Sequence, residues 1–164
     1  MPRASHASDQ IPDSSAAFAE WVSPHVGVMA SLAARQASDG ERDDVVQEAL
    51  LRAWKKRFQY DSMRGSLRTW LLAITADQAR RSRRRERPTS VLADLTLPSR
   101  SLEERLDVEG AVSHLSPRQR QAVNCFYFVD LSIMETAAVM RCSPGTVKST
   151  LADARHRLKE LLDG

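Results

Sequence analysis

Cysteine is nearly absent: Cys125 and Cys142 are the two in 164 residues. Two thiols make no disulfide framework, and neither lies in a CxxC pair or near a histidine at metal-ligand spacing. Both read as buried structural groups, and no metal or other cofactor is expected. Long apolar runs are missing too; no stretch of about 18 such residues exists, so no membrane insertion is expected. The opening residues, Met1 to Gln10, lack the apolar centre of a signal peptide, and the expectation is a cytoplasmic protein. Histidine is sparse and scattered, at His6, His25, His114 and His156, and no nucleophile–base pair or ligand cluster can be drawn from the sequence. An enzyme is therefore the weakest reading.

What is present suits a soluble helical chain. The hydrophobic fraction is 42% and the charged fraction 27%, too apolar for full disorder. The length allows one domain or two small ones. Net charge is only +3, yet it is concentrated: Arg80, Arg81, Arg83, Arg84, Arg85 and Arg87 form a block broken only by Ser82 and Glu86. Such a block is either a solvated helix end or a phosphate-binding surface, and its place at the end of an apolar-periodic segment favours the second.

Residues 1–13 are small and polar and read as a flexible tail. From Ser14 the pattern is helical, with Phe18, Trp21, Val22, Val26, Met29 and Ala33 at three- and four-residue spacing, and Pro24 should kink or divide that run. A second helix runs from about Asp43 to Phe58 with Val45, Val46, Ala49, Leu50, Ala53 and Trp54 inward, leaving Asp44, Gln47 and Glu48 on another face. Gln59 to Ser66 is a loop by composition, and Ser66 is placed to cap a helix from Leu67 to about Arg85 that turns Trp70, Leu71 and Ile74 inward. Trp54 and Trp70 thus belong to the core rather than to a stacking platform, whereas Tyr60 lies in the loop. The expected organisation is a helical domain over 14–87, an interdomain linker over 88–101 with Pro88 and Pro98, and a second helical domain over 102–164. Within that second domain a helix is expected from about Leu102 to His114, and another from Pro117 after a Ser116 cap.

The end of the chain carries the most specific local signal. A short helix over Ser132 to Met140 is followed by Arg141-Cys142, and Ser143-Pro144 starts a second helix. Small Ala137 permits a close crossing, with Val147 packing beneath it, as a helix-turn-helix requires. Val147, Leu151, Ala154, Leu158 and Leu161 follow spacings of four, three, four and three and form the buried stripe. Thr146, Ser149, Thr150 and Asp153 occupy an exposed face with Lys148 and Ala152 beside it, the mixture of donors, acceptors and small apolar groups that reads a major groove. Arg155, Arg157 and Lys159 either reach phosphates or solvate the helix end.

Taken in order, Asp44-Val45-Val46-Gln47-Glu48 through Trp54, Tyr60-Asp61-Ser62-Met63-Arg64-Gly65-Ser66-Leu67-Arg68-Thr69-Trp70-Leu71, Leu115-Ser116-Pro117-Arg118-Gln119-Arg120 and Pro144-Gly145-Thr146-Val147-Lys148-Ser149 resemble regions 2.2 and 2.3, the opening of region 4 and its recognition helix in one family. That family is the extracytoplasmic-function (ECF) group of bacterial sigma factors. The resemblance covers most of the chain and implies an all-α protein of two small domains joined by a flexible linker, the second a helix-turn-helix. It implies a factor that binds core RNA polymerase, through the β′ clamp helices and the β flap, and directs it to promoter DNA; it also implies an anti-sigma partner. Carried over by position, Asp44, Gln47 and Glu48 would contact polymerase. Tyr60, Asp61, Ser62, Met63, Arg64 and Ser66 would hold a flipped minus-10 base, with Arg68, Arg80, Arg81 and Arg84 on phosphates. Tyr60 would be placed to stack on that base. Ser143, Thr146, Lys148, Ser149, Thr150, Ala152 and Arg155 would meet the minus-35 duplex.

This chain departs from the family's pattern in places. Asp77 and Arg81 stand where the family usually has Asn and then Asp, and Thr150 and Asp153 stand where its recognition helix tends to carry arginines. Two cationic contacts are thereby absent. Asp153 would repel phosphate unless it accepts from a cytosine amino group, so the expectation is that it lies outside the contact zone. Two other readings compete: a stand-alone helix-turn-helix regulator, which leaves the arginine block and the Asp44-Gln47-Glu48 face unused, and a helical adaptor that binds only proteins.

Overall fold

The computed structural model describes residues 10–86 and 108–164, and every regular element among them is a helix. The chain divides into two compact units, Met1–Ser82 and Arg83–Gly164. The expected linker, with Pro88 and Pro98, lies outside the described residues, as do Arg87 and the start of the helix expected from Leu102.

In the N-terminal unit α1 (Ser15–Val22) begins at Ser14, whose hydroxyl accepts from Ala17 N at 3.2 Å. Pro24 does divide the first helical run: a 3-10 turn, Ser23–His25, separates α1 from α2 (Val26–Gln36), because proline has no N–H to continue the ladder. Gly40, at φ +81°, turns the chain into α3 (Arg42–Lys56). Helix α3 stops two residues short of Phe58, and Arg57–Gln59 form a 3-10 turn. Ser66 caps α4 (Leu67–Glu86) by accepting from Thr69 N at 3.1 Å.

The core of this unit joins Phe18, Val22, Met29, Ala49, Ala53 and Leu71, with Trp21, Trp54, Trp70 and Ile74 half-buried around them. Fully buried alanines at Ala49, Ala53, Ala76 and Ala79 let the helix backbones approach closely. Trp54 meets Phe18 edge-on at 5.3 Å, so the tryptophans serve packing, as their inward spacing predicts. Residues 10–13 depart from a free tail: Pro12 is buried, and its carbonyl accepts from Arg57 Nε at 2.9 Å.

The C-terminal unit comprises α5 (Val108–Ser113), α6 (Pro117–Val123), a π-helical turn Asn124–Phe128, α7 (Ile133–Met140) and α8 (Pro144–Asp163). Ser116 and Ser132 each form a full capping box, with Gln119 and Glu135. Between α7 and α8, Arg141 adopts the left-handed conformation (φ +54°), Cys142 N donates to Ala137 O at 3.1 Å and Arg141 N to Ala138 O at 3.3 Å. This is a Schellman closure, and it sets the sharp turn of the helix-turn-helix. Cys125 is buried as expected, whereas Cys142 is half-buried because it sits just beyond that turn, packed on the rim of the core.

Ala137 and Val147 share one cluster with Val112, Leu115, Val123, Met140, Leu151 and Ala154, which holds the two helices of the motif at their close crossing. Helix α7 is only 8 residues long, so its termini weigh heavily on its stability. Ser132→Ala removes the acceptor for Glu135 N (3.0 Å) and leaves the other half of the box, Ser132 N on the Glu135 carboxylate at 2.8 Å, in place. The expected loss is about 1 kcal/mol, read by denaturant titration of the C-terminal unit; an unchanged midpoint would show that the Ser132 hydroxyl contributes nothing.

Candidate polymerase and nucleic-acid surfaces

On α3 the buried residues Val45, Ala49 and Ala53 point one way, and Asp44, Gln47 and Glu48 are exposed on another face. Leu51, 53% exposed, continues that face at the same three- and four-residue spacing. The surface is therefore acidic with an apolar residue at its edge, a feature readable from the spacing but not singled out by it. Asp44 also lies in the first turn of α3, where the helix dipole favours a carboxylate.

The loop between α3 and α4 is built by its own polar groups. Asp61 accepts from Met63 N at 2.9 Å through its carboxylate and from Arg64 N at 3.0 Å through its carbonyl, which closes a tight turn. Arg64 lies 3.9 Å from the Asp61 carboxylate, and Met63 projects outward, 92% exposed. Tyr60 donates its hydroxyl to Gly65 O at 3.2 Å, while its ring meets Trp21 edge-on at 5.6 Å and Trp70 at 5.5 Å. Tyr60 is thus one panel of an aromatic wall. Arg57 stacks over Trp54 at 3.6 Å and Phe58 at 4.3 Å, and its bond to Pro12 brings residues 10–13 alongside the loop.

A cleft of about 960 Å³ opens there, lined by Pro12, Trp21, His25, Tyr60, Ser66 and Arg68 among others. Burial, and then the neighbouring Arg68 guanidinium, hold His25 below its ordinary value. A lowered value in the folded state favours the neutral ring. Stability is therefore unaffected by this group above 6.5, the unperturbed value, and falls progressively as pH drops from there through the lowered folded-state value.

The arginine block is not one surface. Arg80 bonds to Asp77 at 2.9 Å with both side chains about two-thirds covered or more, Ser82 is buried and Arg83 is half-buried. Arg81, Arg84 and Arg85 are exposed. Asp77, a departure from the family's pattern, thus has a structural partner in Arg80.

On α8 the buried residues are Val147, Leu151 and Ala154, with Leu158 and Leu161 half-buried, so the stripe runs as its spacing predicts. Thr146, Lys148, Ser149, Ala152, Asp153 and Arg155 are exposed and Thr150 is half-buried. The hydroxyls of the first turns are engaged within the helix: Ser143 accepts from Thr146 N at 3.1 Å, and Ser149 and Thr150 donate to Thr146 O at 3.0 and 2.7 Å. The Ser149 and Thr150 oxygens, having given their protons, keep lone pairs that can accept. Arg155 donates to the Tyr127 hydroxyl at 3.0 Å, a pairing across 28 residues that no sequence pattern marked.

Sigma-70 region 2 matches residues 21–89, and Sigma-70 region 4 matches residues 105–158. A probable RNA polymerase sigma-C factor of Mycobacterium bovis is 37% identical over 73% of this chain and 69% of its own length. An ECF RNA polymerase sigma factor, SigK of Mycobacterium tuberculosis, is 27% identical over 90% of this chain and 87% of its own. Two solved structures share the fold. CnrH in complex with the cytosolic domain of CnrY gives a TM-score of 0.67 at 26% identity, covering 92% of this chain and 90% of that one. The sigma factor RpoE in complex with the anti-sigma factor NepR, from Bartonella quintana, gives 0.65 at 28% identity, covering 89% of this chain and 96% of that one.

Proposed function

The chain belongs to the ECF group of sigma-70 factors, and from that premise we propose how its two units divide the recognition of a promoter. It is an alternative sigma factor that directs core RNA polymerase to begin transcription at particular promoters. The observation that carries this is the pairing of two separately cored helical units, each matching one of the family's two regions in the family's order. A stand-alone regulator or a protein-only adaptor leaves one of the two units without a task.

In the N-terminal unit, Asp44, Gln47 and Glu48 dock on the β′ clamp helices. The loop carrying Tyr60, Asp61, Ser62, Met63, Arg64 and Ser66 receives an unstacked minus-10 base. Asp61 and Ser66 act chiefly by shaping the loop and capping α4, and Tyr60 and Arg68 line the adjoining cleft. Arg81 and Arg84 are the free-standing phosphate contacts of the arginine block, while Arg80 reaches a phosphate only by sharing its charge with Asp77.

In the C-terminal unit, α8 lies in the minus-35 major groove, presenting Ser143, Thr146, Lys148, Ser149, Thr150, Ala152 and Arg155. The unit also meets the β flap. Bond chemistry belongs to the polymerase, and the chain works in the cytoplasm. Both solved neighbours are held by a second protein, and a partner of that kind that covers the polymerase-docking face would silence this chain.

Run-off transcription with purified core polymerase tests the assignment: addition of this chain should produce promoter-specific transcripts, and their absence would overturn it. The missing cations on α8 make a second expectation. Thr150→Arg should steepen the salt dependence of promoter binding by about 0.9 in log–log slope, one added phosphate contact. Equal slopes for variant and parent would show that this position does not approach DNA.

A further inference from the structure

We infer that Tyr127 and Arg155 together form a phosphate clamp at the edge of the recognition helix, with a backbone phosphate of the minus-35 duplex as its ligand. The inference rests on the placement of α8 in that groove proposed for it. Along α8, Lys148, Ala152, Arg155 and Lys159 follow spacings of four, three and four, so they form one stripe between the buried face and the outward face. A flanking cationic stripe faces the wall of a groove rather than its floor, where phosphates lie and bases do not.

Tyr127 is delivered to that stripe by the π-helical turn. One extra residue per turn shifts the facing of the residues beyond it, and Tyr127 and Phe128 emerge 49% and 41% exposed while Asn124 and Cys125 stay buried. The turn is closed by Val129 N on Asn124 O and Leu131 N on Cys125 O, both 2.9 Å, with Asp130 left-handed at φ +61°. The Tyr127 ring stands edge-on to Phe126 at 5.0 Å, and Phe126 packs on the core. The hydroxyl is therefore held in place before any ligand arrives.

The chemistry of the pair is set by its polarity. A guanidinium only donates, so in the 3.0 Å contact the Tyr127 oxygen accepts. The phenol keeps its own proton to give, and Arg155 keeps further N–H groups. Two donors converge, one of them charged, which suits a phosphate oxygen pair; a guanine O6/N7 edge would take the same donors, and the position of the pair on the flanking stripe favours phosphate. Tying Arg155 down also removes rotamer freedom that binding would otherwise have to freeze.

The test uses the full chain assembled with core polymerase and promoter fragments carrying one neutral methylphosphonate at a time across the minus-35 element. Tyr127→Phe should weaken promoter binding roughly three- to tenfold, by the same factor on fragments that differ in minus-35 bases. Arg155→Gln should weaken it at least as much, and the double variant should lose clearly less than the sum of the two single losses, because each group positions the other. One methylphosphonate should erase the difference between Tyr127→Phe and the parent. Parental affinity for Tyr127→Phe, additive losses in the double variant, or a deficit that no single methylphosphonate removes would each overturn the clamp. If the parental holoenzyme shows no promoter selectivity, the sigma assignment fails and the clamp with it. If selectivity is present and Tyr127→Phe is silent, the clamp alone fails.

Discussion

Leu151→Ala is expected to destabilise the C-terminal unit by about 2–4 kcal/mol and to leave the N-terminal unit intact. Leu151 is 2% exposed and lies in the cluster that ties α8 to Val112, Leu115, Val123, Ala137 and Met140. Truncation to alanine leaves a cavity inside that cluster. A domain this small has roughly 5 kcal/mol in total, so the loss consumes most of it. Thermal melting should separate into two transitions, with only the weaker one moved. In transcription, initiation at promoters that need the minus-35 element should fall at least tenfold, about 1.4 kcal/mol in recognition, while binding to core polymerase through the proposed α3 face should persist. A shift below about 0.5 kcal/mol would mean that the cluster repacks around the gap.

Local chemistry explains which elements could be read in advance. Ser143-Pro144 and Ser116-Pro117 place a cap and a proline where a helix starts, and α8 and α6 begin there. The four-three-four-three stripe of α8 survives because a single core face dictates it. The Ser132–Glu135 box was not singled out in the sequence, although its spacing is that of a capping box, and the structure forms it. Pro24 divides the first run because a missing N–H acts locally.

What sequence did not disclose depends on partners far along the chain. Residues 10–13 look like tail by composition, yet Arg57, 45 positions away, bonds to Pro12 and sets that segment beside the loop. The arginine block reads as uniform in one dimension, but a helix deals its residues onto different faces, so Arg80 pairs with Asp77 and Ser82 is buried. Tyr60 reads as a free loop aromatic, whereas Trp21 and Trp70 come from two helices to meet it. Tyr127 was invisible because a π turn changes the period on which facing is judged.

Reversing two charges on α3 should have the largest effect on assembly. Asp44 and Glu48 lie four residues apart on an exposed face and bear no part of the core, so Asp44→Arg with Glu48→Arg leaves the buried stripe of Val45, Ala49 and Ala53 untouched. Folding should lose less than about 1 kcal/mol, chiefly from the carboxylate removed at the start of the helix. If α3 docks as proposed, binding to core polymerase should fall at least thirtyfold, about 2 kcal/mol, since each carboxylate that would pair with a basic partner becomes a repelling cation. The neutral pair Asp44→Asn with Glu48→Gln separates charge from shape. It should lose several-fold less than the reversed pair, and its remaining affinity should depend less on salt. Competition with labelled parental chain for core polymerase measures both. If the reversed pair competes as well as the parent, polymerase docks elsewhere on this unit and Asp44, Gln47 and Glu48 are a solvated face.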